Sequence, residues 1–146
     1  MAKYRVGYTT GVFDLFHIGH LEILRKSKEL CDILIVGVST DELTKKYKGN
    51  FPIIKYEERA KIVEAIRYVD RVVPQENMDK KEAWKKYHYD VLFHGDDWEN
   101  TSMYKENERI LKECGVNIVY FPHTEGVSST EIKKTLKERK RSCFQI

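Results

Sequence analysis

Ile33-Leu34-Ile35-Val36-Gly37-Val38-Ser39-Thr40-Asp41-Glu42 joins an apolar run to a helix start. The first six residues read as a short β-strand. Ser39-x-x-Glu42 then reads as a capping box, the serine oxygen accepting from the third helical N–H while the glutamate reaches back. The same alternation continues on both sides of this stretch. Tyr4–Tyr8, Arg71–Val73, Val91–His94 and Val116–Phe121 read as further strands. Between them Ile18, Leu21, Leu24 and Cys31 fall near one helical face, Ile62, Val63 and Ile66 form another, and Ile110 and Leu111 a shorter one. A second capping box stands at Ser128-x-x-Glu131. Strands alternating with helices imply right-handed crossovers. The expected fold is a doubly wound, Rossmann-like α/β domain: a parallel sheet of about five strands flanked by helices.

Composition agrees with one globular domain. The chain has 146 residues, 41% of them hydrophobic and 34% charged, with only 3 Pro and 8 Gly, which excludes disordered and fibrous classes. No apolar run approaches the roughly 20 residues of a membrane helix, and the N-terminus has no stretch of signal-peptide length. Cys31, Cys114 and Cys143 form no CxxC and are odd in number, so a reducing, cytoplasmic setting is expected. The net charge of +3 is local: residues 133–141 (KKTLKERKR) contribute +5, leaving −2 elsewhere. That distribution excludes a generally nucleic-acid-coating surface. It reads instead as a solvated basic helix end and tail, residues 133–146, belonging to the same domain as a catalytic region over 1–132.

In such sheets ligands sit beyond the carboxyl ends of the strands. After the first strand comes Thr9-Thr10-Gly11-Val12-Phe13-Asp14-Leu15-Phe16-His17-Ile18-Gly19-His20. Gly11 allows a tight turn and Gly19 a close backbone approach, while His17 and His20 share one helical face. A helix start here is an anion site to which two imidazoles add donors for phosphate. Asp14, His17 and His20 also recur at zinc-like intervals, but a fourth ligand in register and an HExxH are both missing, so no metal ligand is assigned. After the last strand, Pro122–Glu131 brings Ser128, Ser129 and Thr130 to a capped helix start, which again suits phosphate. Gly95-Asp96-Asp97-Trp98 follows the fourth strand with carboxylates for a base, a sugar or a cation, and Lys45–Asn50 reads as a mobile basic loop. GxxxxGK[ST] and GxGxxG are absent, which argues against a P-loop or an ordinary dinucleotide site.

Gly11–His20 resembles the signature of the cytidylyltransferases in the HxGH nucleotidyltransferase superfamily, and His123–Thr130 is similar to that family's second signature, usually written RTEGIST. The resemblance extends through Ser39–Glu42, Tyr56–Arg59, Ile66–Asp70 and Gly95–Trp98, covering roughly residues 5–135. Small size and the GDDW motif are most similar to the bacterial glycerol-3-phosphate cytidylyltransferases. The resemblance implies that Val12, Phe13, His17 and His20 contact CTP, and that His123, Thr124 and Val127, Ser128, Ser129 and Thr130 line the nucleotide site. It implies that Lys48 approaches the transferring phosphates and that Lys81 holds the acceptor phosphate. Arg59, Arg67 and Asp97 match family positions, the arginines grouped with the acceptor and Asp97 with the nucleotide. His123 replaces the family's arginine and Asn50 a second loop lysine, each removing a permanent cation.

The implied reaction is cytidylyl transfer from CTP, with Mg²⁺ on the triphosphate, to a small phosphate-bearing acceptor. Glycerol 3-phosphate leads, and glycerol 2-phosphate, other polyol phosphates, choline phosphate and ethanolamine phosphate remain open. The product would be CDP-glycerol, a precursor class for cell-wall or capsule polymers. Relatives of this short form imply a homodimer with no stable membrane association and no nucleic-acid partner. A non-catalytic nucleotide-binding module is the reading from another class. The terminal Cys143-Phe144-Gln145-Ile146 imitates a C-a-a-X signal but has Gln where an aliphatic residue belongs.

Overall fold

The computed structural model describes residues 2–124 and 126–144, with side chains as far as residue 140. Glu125 of the second signature and the C-a-a-X reading of Cys143–Ile146 therefore lie outside the described residues and side chains. Five strands are found: β1 (Tyr4–Gly11), β2 (Cys31–Ser39), β3 (Arg71–Gln75), β4 (Val91–Gly95) and β5 (Asn117–Phe121). The helices are α1 (Ile18–Glu29), α2 (Asp41–Lys48), α3 (Tyr56–Glu64), α4 (Lys80–Tyr87), α5 (Ser102–Glu113) and α6 (Ser129–Phe144), with a 3₁₀ turn at Asp96–Trp98. The strands form one all-parallel sheet in the order β3-β2-β1-β4-β5. Order reverses at β1, which pairs with β2 on one side and β4 on the other, so the crevice between the ends of β1 and β4 is the topological switch point.

Both sheet faces are covered. On one, Leu24 of α1 and Val63 of α3 pack against Leu34, Val36 and Val38; on the other, Leu111 and Tyr104 of α5 pack with Tyr8, Tyr89 and Leu92. Parallel strands buried on both faces require the near-continuous apolar run seen in β2. Gly37 interrupts that run because a Cβ there would stand 2.5 Å from the Tyr8 hydroxyl.

Several local expectations change. Cys31 opens β2 rather than sharing a helical face with Leu24. Thr40, not Ser39, caps α2: its hydroxyl accepts from Leu43 N at 3.1 Å, while Ser39 ends β2 and donates to Gln75 Oε1 at 2.9 Å. Lys45–Lys48, read as loop, is the last turn of α2, closed by Gly49 at φ 85°. Only Leu43 and Thr44 of that helix are buried, so it carries almost no apolar period to read. The same shortage hid α4, which buries Lys80 alone. Gly11 belongs to β1, and the turn after it is made by Phe13 and Leu15 at φ 56° and 51°.

Candidate active site

Thr9 and Thr10 lie just before Gly11 at the end of β1, and the Thr9 hydroxyl donates to the Phe93 carbonyl at 2.9 Å, tying the two switch-point strands together. Beyond their ends opens a cleft of about 680 Å³. Val12, Phe13 and His20 line it from one side, His94 and Asp97 from the end of β4, Lys48 from α2, and His123, Ser129 and Thr130 from the second signature.

The first signature works through helix capping. His17 is the N-cap of α1, its Nδ1 accepting from Gly19 N at 3.0 Å, and His20 Nδ1 accepts from His17 N at 3.2 Å. This is a capping box built from two imidazoles. With both Nδ1 atoms accepting, each ring carries its proton on Nε2 and offers that N–H outward. The rings stack at 3.9 Å between centroids. Gly19 makes room for this arrangement, since a Cβ there would lie 2.8 Å from His17 Cε1. Burial, then the charges of His17 and Lys48, pull His20 down to about 3, with Asp14 opposing. His17 is lowered too, by burial and then by His123.

Asp14 joins three segments. Its carboxylate accepts from Ile53 N at 2.8 Å and Ile54 N at 2.9 Å and meets Lys133 Nζ at 3.4 Å, while its carbonyl accepts from Ser129 Oγ at 2.7 Å. Burial acts to raise its pKa, but those two amides and Lys133 outweigh it and hold the carboxyl below its ordinary value. The Ser129 bond seats the start of α6 beside the first signature, so two helix N-termini face one cleft. Ser128 caps α6, its Oγ accepting from Glu131 N at 3.0 Å. Burial and then Lys133 lower the Lys48 ammonium.

Not every expected residue reaches this cleft. Thr124, Val127 and Ser128 belong to the segment that leads into α6 but are not on the cleft wall, and His17 stands behind His20. Arg67 is exposed, its Nη2 3.2 Å from the Tyr68 hydroxyl, and Lys81 is exposed on α4. Arg59 is buried behind the cleft rather than within it. Its guanidinium donates to the carbonyls of Val12 (2.6 Å), Ser39 (2.8 Å) and Ile54 (2.7 Å) and to Asp41 Oδ1 (2.7 Å), clamping the first signature to β2 and the loop before α3. Sequence reading gave no separate role to Thr10, quoted within the first signature segment, or to His94, placed on a strand; both line the cleft. It also took Lys133, Lys134 and Lys137 as solvated tail, whereas they line the cleft. The charge run was visible; its direction was not.

Donor atoms of Asp96, Asp97 and His123 lie within 4.8 Å of one another at the cleft mouth. Of these, Asp97 faces the cleft and has the hard oxygen ligand that Mg²⁺ takes alongside substrate phosphates.

Comparison with known proteins agrees with this geometry. Residues 8–135 match the family model described as Cytidylyltransferase-like. The glycerol-3-phosphate cytidylyltransferase of Bacillus subtilis (strain 168) is 41% identical over 130 residues, 88% of this chain and 94% of that protein. An FAD synthase of Pyrococcus abyssi (strain GE5 / Orsay) is 39% identical over 132 residues, covering 88% and 89%. Among solved structures, a lipopolysaccharide core biosynthesis protein from Thermoplasma volcanium GSS1 superposes with a TM-score of 0.69 at 26% identity, over 83% of this chain and 97% of the other. The chain thus belongs to the cytidylyltransferase-like family of nucleotidyltransferases.

Proposed function

We propose that this protein transfers the cytidylyl group of CTP to glycerol 3-phosphate, giving CDP-glycerol and pyrophosphate. The observation that carries the reading is the convergence of two helix N-termini, the His20 imidazole and Lys48 on one cleft, in a chain 41% identical to a glycerol-3-phosphate cytidylyltransferase along nearly its whole length.

No protein nucleophile is required. A phosphate monoester has a second pKa near about 6, so the acceptor is already largely dianionic at neutral pH. Its oxygen attacks the α-phosphorus of CTP and pyrophosphate leaves. The protein's work is alignment and charge neutralisation. His20 supplies a preorganised Nε2–H donor that His17, capping the same helix, holds in place; Lys48 supplies positive charge across the cleft, and the start of α6 with Ser129 and Thr130 receives the triphosphate. Arg59 holds the Val12 carbonyl and so sets the path of the signature loop. Asp97 would hold a Mg²⁺ brought in with the triphosphate, and that ion would supply charge neutralisation at the phosphates. The enzyme is further read as a cytoplasmic homodimer feeding cell-wall or capsule polymer synthesis, which rests on the family resemblance. Among the described residues no helix is long and apolar enough to cross a membrane.

The test is a panel of glycerol 3-phosphate, glycerol 2-phosphate, choline phosphate and ethanolamine phosphate with CTP and Mg²⁺, read by pyrophosphate release and product mass. Glycerol 3-phosphate is expected to give the highest kcat/KM. Higher turnover of an amino-alcohol phosphate would reassign the acceptor, and no release with any member would point to a non-catalytic module.

A further inference from the structure

Asp96 and Asp97 open the turn after β4, and His123 follows the end of β5. Gly95 pairs with Phe121 in the sheet, so the two segments leave their strands side by side and bring two carboxylates to one imidazole. All three side chains are exposed, with donor atoms within 4.8 Å of one another. Ligands around one ion at about 2.1 Å stand no more than about 4.2 Å apart. These exposed side chains therefore close on an ion by moving about half an ångström.

Gly95 leaves room for one of the ligands. Its backbone is ordinary extended chain at φ −71° and ψ 154°, so no turn requires glycine there. A Cβ at that position would instead stand 2.8 Å from Asp97 Oδ1. Asp97 and His123 face the cleft, and Asp96 stands just outside its wall.

The charges at this mouth call for a cation. Among the described residues neither carboxylate is paired with a lysine or an arginine; Lys133, the cleft lysine of α6 that forms an ion pair, meets Asp14. An unneutralised carboxylate on the wall of a phosphate-binding cleft repels the triphosphate it is meant to admit. Arginine at position 123, as in the family's second signature, would supply a permanent charge. This chain has an imidazole there, which arginine cannot imitate as a metal ligand. Two oxygens and one nitrogen suit a first-row divalent ion, whereas Mg²⁺ takes oxygens and keeps its waters.

We propose that Asp96, Asp97 and His123 form a site for a first-row divalent transition-metal ion, which the chain holds before nucleotide arrives. Its charge stands in for the missing arginine beside the triphosphate. The proposal deepens the cytidylyl-transfer reading, in which Asp97 meets an ion carried by the triphosphate, and rests on that reading for the ion's role but not for its binding. Asp96 and His123 make the ion the chain's own, and the imidazole selects it over Mg²⁺.

The experiment titrates Mn²⁺ into the nucleotide-free full chain and follows free Mn²⁺ by electron paramagnetic resonance. One ion is expected per chain, retained in about tenfold excess of Mg²⁺. Asp96→Asn and His123→Gln should each weaken binding at least about tenfold. Electron spin-echo modulation from an imidazole nitrogen should be present on the bound ion in wild type and absent in His123→Gln. Should a variant fail to fold, the wild-type nitrogen signal and the Mg²⁺ competition decide alone. No Mn²⁺ bound, equal binding by His123→Gln, displacement by equimolar Mg²⁺, or a bound ion without nitrogen modulation would each overturn the proposal. Pyrophosphate release from CTP and glycerol 3-phosphate with Mg²⁺ keeps the two readings apart. Turnover without a Mn²⁺ site overturns the metal proposal alone, and a Mn²⁺ site without turnover under either ion overturns the transfer reading and, with it, the ion's role beside the triphosphate.

Discussion

His20 accepts the backbone N–H of His17 through Nδ1 at 3.2 Å, so the motif's two histidines cap the helix that they introduce. Capping commits both Nδ1 atoms to backbone amides and leaves only the Nε2 protons for a ligand. His20→Ala removes a fixed donor aimed at developing charge and should lower kcat by about 10²–10³. The lost cap should also cost about 1 kcal/mol in thermal stability, leaving the protein folded. Steady-state kinetics and a melt on the same preparation check both. Turnover within about threefold of wild type would remove His20 from the phosphate site.

Lys80 gives a stability prediction with a defined sign. Its folded pKa of about 7 lies below the ordinary 10.5, so between those values the unfolded chain binds more protons and stability rises with pH. The burial cost is complete below about 7 and gone above 10.5. Lys80→Met should therefore melt above wild type, by about 4 °C for each kcal/mol of charge burial relieved. The gap should be widest near pH 6 and close toward about pH 10. A gap that is constant with pH would mean that Lys80 is not charged in the acid form of the folded protein.

Arg59→Lys tests the clamp behind the cleft. A lysine cannot reach the carbonyls of Val12, Ser39 and Ile54 and the Asp41 carboxylate together, as the planar fork does. Breaking a buried pair of this kind costs about 3–5 kcal/mol. Stability by denaturant titration should fall by that order, and CTP affinity should fall with it because the signature loop loses its anchor. Weaker CTP binding at unchanged stability would place Arg59 in direct substrate contact instead.

These residues also show what the sequence made legible. The β2 run announced a strand, and the HxGH and Ser128-x-x-Glu131 segments announced the two helix starts, because apolar period and helix-start chemistry are local signals. Arg59 was matched by family position but placed with the acceptor, since nothing local distinguishes an arginine that binds a ligand from one that binds backbone. Lys80 carried no signal: in Asp79-Lys80-Lys81 the two lysines are equivalent as sequence, and only the rotation of α4 buries the first and exposes the second. Lys133, Lys134 and Lys137 were counted as charge, but the seating of Ser129 on Asp14 decides that this face of α6 turns to the cleft.

His123 lies on the cleft wall where the family's second signature has arginine. His123→Arg supplies a permanent cation within reach of the triphosphate, worth about 1 kcal/mol or roughly fivefold in CTP affinity. Titration of CTP against both proteins measures it. Unchanged affinity would show that this position does not contact the nucleotide.

The most direct measurement of cytidylyl transfer is kcat/KM for CTP against ATP, with glycerol 3-phosphate as acceptor and CDP-glycerol identified by mass. Base choice separates the cytidylyltransferases from the adenylyl-transferring members that share HxGH, and product identity fixes the acceptor in the same experiment. CTP should be preferred by at least about tenfold, a margin of about 1.4 kcal/mol in transition-state binding. Equal or greater kcat/KM with ATP, or no CDP-glycerol formed, would contradict it.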